Sequence, residues 1–115
     1  MIALASTTRS QSPVAQVAAS LSQDPRVTKI VLFGSRATGN ERADSDIDVL
    51  VICEGEPSKF ETIAELSKLL PWPRDYSVDI LVMGEQRFEE TKNLVGGIAY
   101  PAHKHGKVLY ERPAV

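Results

Sequence analysis

The 115-residue sequence predicts an α+β or α/β fold, a mixed β-sheet of three to four strands flanked by helices. Three observations carry that expectation. Thr28 to Phe33, Asp46 to Cys53 and Tyr76 to Met83 are short runs rich in β-branched or aromatic residues, of strand length and bounded by turn residues. Around them, apolar residues recur at spacings of three and four, the period of a helix with one buried face. The two patterns follow one another as helix, strand, strand, helix, strand, helix, strand, which suits helices laid over a sheet.

Ser12 before Pro13 starts the first helix, because serine caps free backbone N–H groups and proline is tolerated in the first turn. Val14, Val17, Ala18 and Leu21 line its apolar face, and Asp24-Pro25 stops it. The strand Thr28 to Phe33 ends at Gly34-Ser35. Residues 36–45 are polar, with a glycine and an asparagine, and read as a loop with room for a helical turn at its start. After the strand Asp46 to Cys53, a turn at Gly55, Glu56 and Pro57 precedes a second helix. Its stripe of Phe60, Ile63, Leu66 and Leu70 reads as core packing, and Pro71-Trp72-Pro73 ends it. The third strand, Tyr76 to Met83, leads through Gly84 into a charged helical stretch divided by Gly96-Gly97, and Lys107 to Tyr110 reads as a short closing strand.

Hydrophobic residues at 43% and charged residues at 24% match ordinary globular usage, which excludes a chain disordered throughout. The length suits one domain over residues 1–115, with 1–11 a loosely held terminus. Thirteen basic against fifteen acidic side chains leave a formal charge of -2, so no broad nucleic-acid surface is expected, although a local basic site is compatible. Cys53 is the only cysteine, which rules out an intrachain disulfide and fits a reducing, cytoplasmic setting. No apolar run approaches the roughly 20 residues of a spanning helix, so no membrane segment is expected. The opening MIALASTTRSQ lacks a basic region ahead of its short apolar part, against a secretory signal.

The chemistry concentrates in Gly34-Ser35 at the end of one strand, Asp46 and Asp48 at the start of the next, and Asp79 within the third. Residues two apart in a strand share a face, so Asp46 and Asp48 project together while Ile47, Val49 and Val51 face the other way. Asp79 lies in an apolar run, where burial would be costly without a compensating cation. Three close carboxylates repel one another, and magnesium relieves that repulsion while preferring hard oxygen ligands and substrate phosphates. Glycine lets the backbone approach a phosphate, Ser35 adds a hydroxyl and Arg36 a permanent charge. Such a set suits phosphoryl transfer with two metal ions.

The segment GSRATGNERADSDIDVLV, residues 34–51, resembles the motif of the minimal nucleotidyltransferases of the DNA polymerase β superfamily, in which Gly-Ser is followed after ten residues by Asp-x-Asp. Residues 36–45 are those ten. The pattern's third acid sits on a later strand, and Asp79 in VDILV matches its position and surroundings. The resemblance runs from about Thr28 to Tyr110, the expected core, and implies the palm fold of polymerase β-like nucleotidyltransferases. It implies that Gly34 and Ser35 hold a triphosphate with Arg36 beside them. Asp46 and Asp48 then bind Mg2+, while Asp79 completes the metal site and helps to activate the acceptor hydroxyl. Many relatives carry a second arginine two residues after the first, where this chain has Thr38. The implied reaction moves a nucleoside monophosphate, AMP from ATP, to a hydroxyl, with two Mg2+ ions during turnover and release of pyrophosphate.

About 80 residues account for such a core, so an acceptor surface is expected from a partner or from a second copy in a homo-oligomer. By the same resemblance, many free-standing minimal nucleotidyltransferases are antitoxins encoded beside a helical HEPN ribonuclease toxin, and some transfer AMP units to a tyrosine of that toxin. Two alternatives stand beside this one: a non-catalytic antitoxin or binding module that neutralises its partner by contact, and a nucleotidyltransferase acting on a small molecule or an RNA end.

Taken singly, the motif's parts are weak, since acids often open solvated strands and Gly-Ser is an ordinary turn; spacing and the third acid give them weight. No Gly-x-x-x-x-Gly-Lys or Gly-x-Gly-x-x-Gly pattern is present. His103 and His105, with no cysteine or further histidine nearby, read as polar groups at a helix end. Arg42 pairs as well with Glu41 or Asp44 as with a ligand, Cys53 reads as a small core residue, and Glu85, Glu89, Glu90 and Lys92 read as a solvated helical face. Trp72 suits either a cap on the core or a partner surface.

Overall fold

The computed structural model describes residues 12–34 and 46–113. In chain order the elements are α1 (Pro13–Leu21), β1 (Val27–Phe33), β2 (Ile47–Cys53), α2 (Lys59–Ser67), β3 (Val78–Gly84), α3 (Glu85–Thr91), α4 (Ala99–His105) and β4 (Lys107–Glu111). The expected loop at 36–45 and the expected loose terminus at 1–11 lie outside the described residues.

The four strands form one mixed sheet in the order β3-β2-β1-β4, flanked by helices, which is the α+β architecture read from the sequence. β1 runs antiparallel to both β2 and β4, whereas β2 and β3 are parallel. A parallel pair cannot be joined by a tight turn, and α2 lies in the crossover between its two strands. At the start of α1 the Ser12 hydroxyl accepts the Ala15 N–H at 3.2 Å, with Pro13 in the first turn.

Each face of the sheet carries its own core. On the first face, Val17 and Leu21 of α1 and Leu66 and Leu70 in and after α2 pack over Ile30, Leu32, Ile47, Val49, Val51, Ile80 and Val82. On the second, Phe88 of α3 and Ala99 and Ala102 of α4 cover Val31, Leu50, Ile52 and Met83. β2 is therefore buried on both sides over most of its length, which explains why it reads as an almost unbroken apolar run after Asp48. A register shift between Val27 and Lys29 turns Val27 onto the first face, opposite the buried Cys53. Burial pushes the Cys53 thiol up to about 11, as befits an inert core cysteine.

Two readings of α2 and its surroundings need correction. Phe60 is 89% exposed, and Thr62 is buried in its place. At about 100° per residue, Thr62, Ile63 and Leu66 centre on a direction roughly 120° from Phe60, so the inward face of the helix excludes it. Strand β3 starts at Val78, two residues after Tyr76; the Tyr76 ring instead packs against the first core. Trp72 is 82% exposed and caps no part of the core, and the Arg74 guanidinium lies 5.6 Å from its ring centroid. His103 lies at the end of α4, its ring edge-on to Phe88 with centroids 6.3 Å apart. Among the described residues no helix is long and apolar enough to cross a membrane.

The end of α4 is pressed onto β1 through Gly106. Its N–H donates to the Ala102 carbonyl at 2.9 Å, and a Cβ added there would meet that same carbonyl, Val31 Cγ1 at 2.6 Å and the Leu32 carbonyl at 2.8 Å. Gly97, by contrast, has no atom within 4 Å of an added Cβ. Gly106→Ala is therefore expected to lower unfolding free energy by about 1–3 kcal/mol through overpacking. Gly97→Ala should stay within about 0.5 kcal/mol of the parent. Urea unfolding of the two variants checks the contrast.

Candidate active site

Because β1 and β2 are antiparallel, the end of β1 lies beside the start of β2, and Phe33 stands opposite Asp48. Because β2 and β3 are parallel, the start of β3 lies at the same end, and Asp48 stands opposite Asp79. The Ile47 N–H donates to the Ser77 carbonyl at 2.8 Å and ties these two beginnings together. Three segments far apart in sequence thus bring Gly34, Asp46, Asp48 and Asp79 to one end of the sheet.

The alternation of β2 decides which way Asp48 points. Ile47, Val49 and Val51 are fully buried in the first core, so Asp48 shares the second face with Leu50 and Ile52. Further along, that face is covered by α3 and α4; at its start the cover thins and Asp48 is half-buried. Asp46 is exposed just before the strand begins. Asp79 is also exposed, contrary to its expected burial within an apolar run. The reason is topological: β3 is a border strand of the sheet, and its second face begins uncovered, so the desolvation cost falls on Asp48.

The Asp48 carboxyl is held above the usual range, first by burial, then by the charge of Asp79 and by hydrogen bonding with that carboxyl, and last by the charge of Asp46. Gly34 adopts a left-handed φ of 79°, and a Cβ placed on it would lie 2.5 Å from Asp48 Oδ2. Glycine is required there twice over, once by backbone conformation and once by the carboxylate against it. Among the described residues, no three His, Cys, Asp or Glu side chains are gathered closely enough to form a complete cation site. The structure brings Asp48 and Asp79 together with Gly34 and leaves Asp46 at their border. Ser35, Arg36 and Arg42 lie outside the described residues.

A feature the sequence did not disclose adjoins Gly34. Phe33, Gly34, Pro101 and His105 line a cleft of about 240 Å³ between the end of β1 and α4. Helical and strand periodicity describe single elements, and this cleft exists only because α4 docks on β1.

Asp48 has a raised folded-state pKa, so its contribution to stability is most favourable below the ordinary carboxylate range and is lost as pH rises through the raised value. Asp48→Asn, with EDTA present, is expected to raise the melting temperature by a few degrees at neutral pH. The gain should vanish by about pH 3, where the parent carboxyl is protonated in both states. Thermal unfolding at the two pH values checks the sign.

The family model described as Polymerase beta, Nucleotidyltransferase matches residues 15–114. Among solved structures, a Sulfolobus solfataricus protein assigned as a nucleotidyltransferase aligns over 87% of this chain and 78% of its own, with a TM-score of 0.61 and 22% identity. A chain from a toxin-antitoxin structure with AMP-PNP aligns over 85% of this chain and 73% of its own, with a TM-score of 0.54 and 22% identity. These two likenesses speak to the fold alone. No protein of curated function matches the sequence. The strand-end arrangement of Gly34, Asp48 and Asp79 and the family match over residues 15–114 agree, and the chain belongs to the polymerase β nucleotidyltransferase family.

Proposed function

We propose that this chain is a magnesium-dependent nucleotidyltransferase that moves AMP from ATP to a hydroxyl of a protein partner, a tyrosine of a HEPN-type toxin, in the cytoplasm. The observation that supports it most is the register of Asp48 with Asp79 on adjacent parallel strands, with Gly34 packed against Asp48. Family membership supports the class of reaction. The structural neighbour from a toxin-antitoxin structure with AMP-PNP supports a nucleotide and a protein partner.

Asp48 and Asp79, with Asp46 beside them, would hold Mg2+. Carboxylate oxygens are the donors this hard cation prefers. The fit rests on Asp48, half-buried and facing Asp79 across the two strands, whose carboxyl is raised first by burial and then by its acidic neighbours; a cation between the carboxylates would relieve that repulsion. Bound there, magnesium supplies charge neutralisation on the phosphates and a more acidic acceptor hydroxyl. Gly34 leaves room for a phosphate against the backbone, and Ser35 and Arg36, next in sequence, add a hydroxyl donor and a fixed positive charge. In the in-line displacement the acceptor oxygen would bond the α-phosphorus from the Asp79 side as the bond to pyrophosphate breaks on the Gly34 side, the hydroxyl proton passing to the Asp79 carboxylate or to water. Asp79 is exposed on a border strand, within reach of an acceptor, and orients that hydroxyl.

A second reading, neutralisation of a partner by contact without transfer, is favoured by one observation: among the described residues no complete cation site is assembled. One experiment separates the two. The chain is co-purified with the product of the adjacent gene and incubated with Mg2+ and ATP labelled at either the α or the γ phosphate. Transfer predicts α label on a partner tyrosine and a mass gain in whole AMP units. Asp48→Asn and Asp79→Asn should each reduce it by about 100-fold or more. Label from the γ phosphate would make the chain a kinase and defeat the proposal, and full neutralisation by Asp48→Asn without label would establish the contact reading.

A further inference from the structure

We infer that the cleft between the end of β1 and α4 seats the base of the nucleotide, as a stacking site for one aromatic ring system. The inference rests on the reading of Gly34 as a triphosphate contact and extends it to the other end of the same ligand. Continuity is the first ground: Phe33 immediately precedes Gly34, stands opposite Asp48 in the ladder, and lines the cleft together with Gly34 itself. A nucleotide whose phosphates lie at Gly34 has this cleft as an adjoining apolar surface.

The chemistry of the walls is the second ground. Phe33, Pro101 and His105 line it with almost entirely apolar surface, contributed by two aromatic rings and a pyrrolidine. A volume of about 240 Å³ is smaller than the roughly 300–1,000 Å³ of pockets that enclose a drug-sized ligand, so the cleft admits a single ring system and not a whole nucleotide. Stacking between a base and an aromatic or apolar wall draws on apolar contact and not on hydrogen bonds, and the walls offer little polar surface.

Preorganisation is the third ground. Phe33 is partly buried against the second core, and Gly106 presses the end of α4 onto Val31 and Leu32, which holds Pro101 and His105 beside it. A cleft whose walls are already fixed loses little ordering entropy when a ring enters.

The test titrates the full chain, with Mg2+ present, with AMP-PNP and separately with inorganic tripolyphosphate, which has phosphates and no base. The parent should bind AMP-PNP about 10-fold or more tightly than tripolyphosphate. His105→Ala, at an exposed position, and Phe33→Leu, which keeps apolar volume but removes the ring, should each remove most of that advantage and leave tripolyphosphate affinity unchanged. Unchanged AMP-PNP affinity in both variants, or equal parental affinity for the two ligands, overturns the inference. A loss shared by tripolyphosphate also overturns it, because it assigns these residues to phosphate binding or to the fold. If the parent binds neither ligand, the triphosphate reading of Gly34 itself falls, and the base site with it.

Discussion

The double pairing of β2 is the constraint on which the rest of the structure depends. Bonded antiparallel to β1 and parallel to β3, it forces the end of one strand and the starts of two others to coincide. Burial then fixes the register. Ile47, Val49 and Val51 pack in the first core and Leu50 and Ile52 in the second, so a slip of one residue would drive Asp48 into the first core and exchange the side chains that fit the two faces. The placement of Asp48 beside Asp79 and Gly34 is thus a by-product of core packing, enforced by residues that take no part in chemistry.

That enforcement has a cost, borne at one residue. Asp48 is desolvated on one side and repelled by two acids on the other, while Gly34 closes against its oxygen with no side chain to spare. A strand with polar exposure along its whole length would relax such a cluster. Here both faces of β2 are sealed beyond Asp48, and the apolar burial of five consecutive positions from Val49 to Cys53 offsets the repulsion at its start.

Local signals explain which parts were legible in the sequence. The first helix was read with its cap, face and end because Ser12, Pro13 and the Val14 to Leu21 stripe are all contained within one element. The strands were legible as apolar runs, and the acids of the site as a spaced motif. Phe60 was misread because a stripe drawn through Phe60, Ile63 and Leu66 is as regular as the true one through Thr62, Ile63 and Leu66; only the docking of α2 chooses between them. The burial expected for Asp79 failed for a similar reason. VDILV looks alike in a central and a border strand, and sheet order is not written in the run itself. The cleft at Phe33 was beyond reach because its other wall comes from α4, far along the chain.

Charge is compensated unevenly across the molecule. At the end of the sheet away from Asp48, cations and acids are matched. Arg26 meets Asp24 at 2.7 Å and Glu65 at 2.8 Å, Arg112 meets Glu54 at 3.0 Å, and Lys29 approaches Glu111 at 3.6 Å. These surface pairs, some of them partly buried, add little stability individually, but they leave that end nearly neutral. At the other end, among the described residues, no ion pair reaches Asp46, Asp48 or Asp79. A formal charge of -2 spread evenly over 115 residues would say nothing about function. Among the described residues, Asp46, Asp48 and Asp79 gather where three strands meet, beside a glycine that keeps the space open, and make that end of the sheet a place where added positive charge lowers the free energy of the fold.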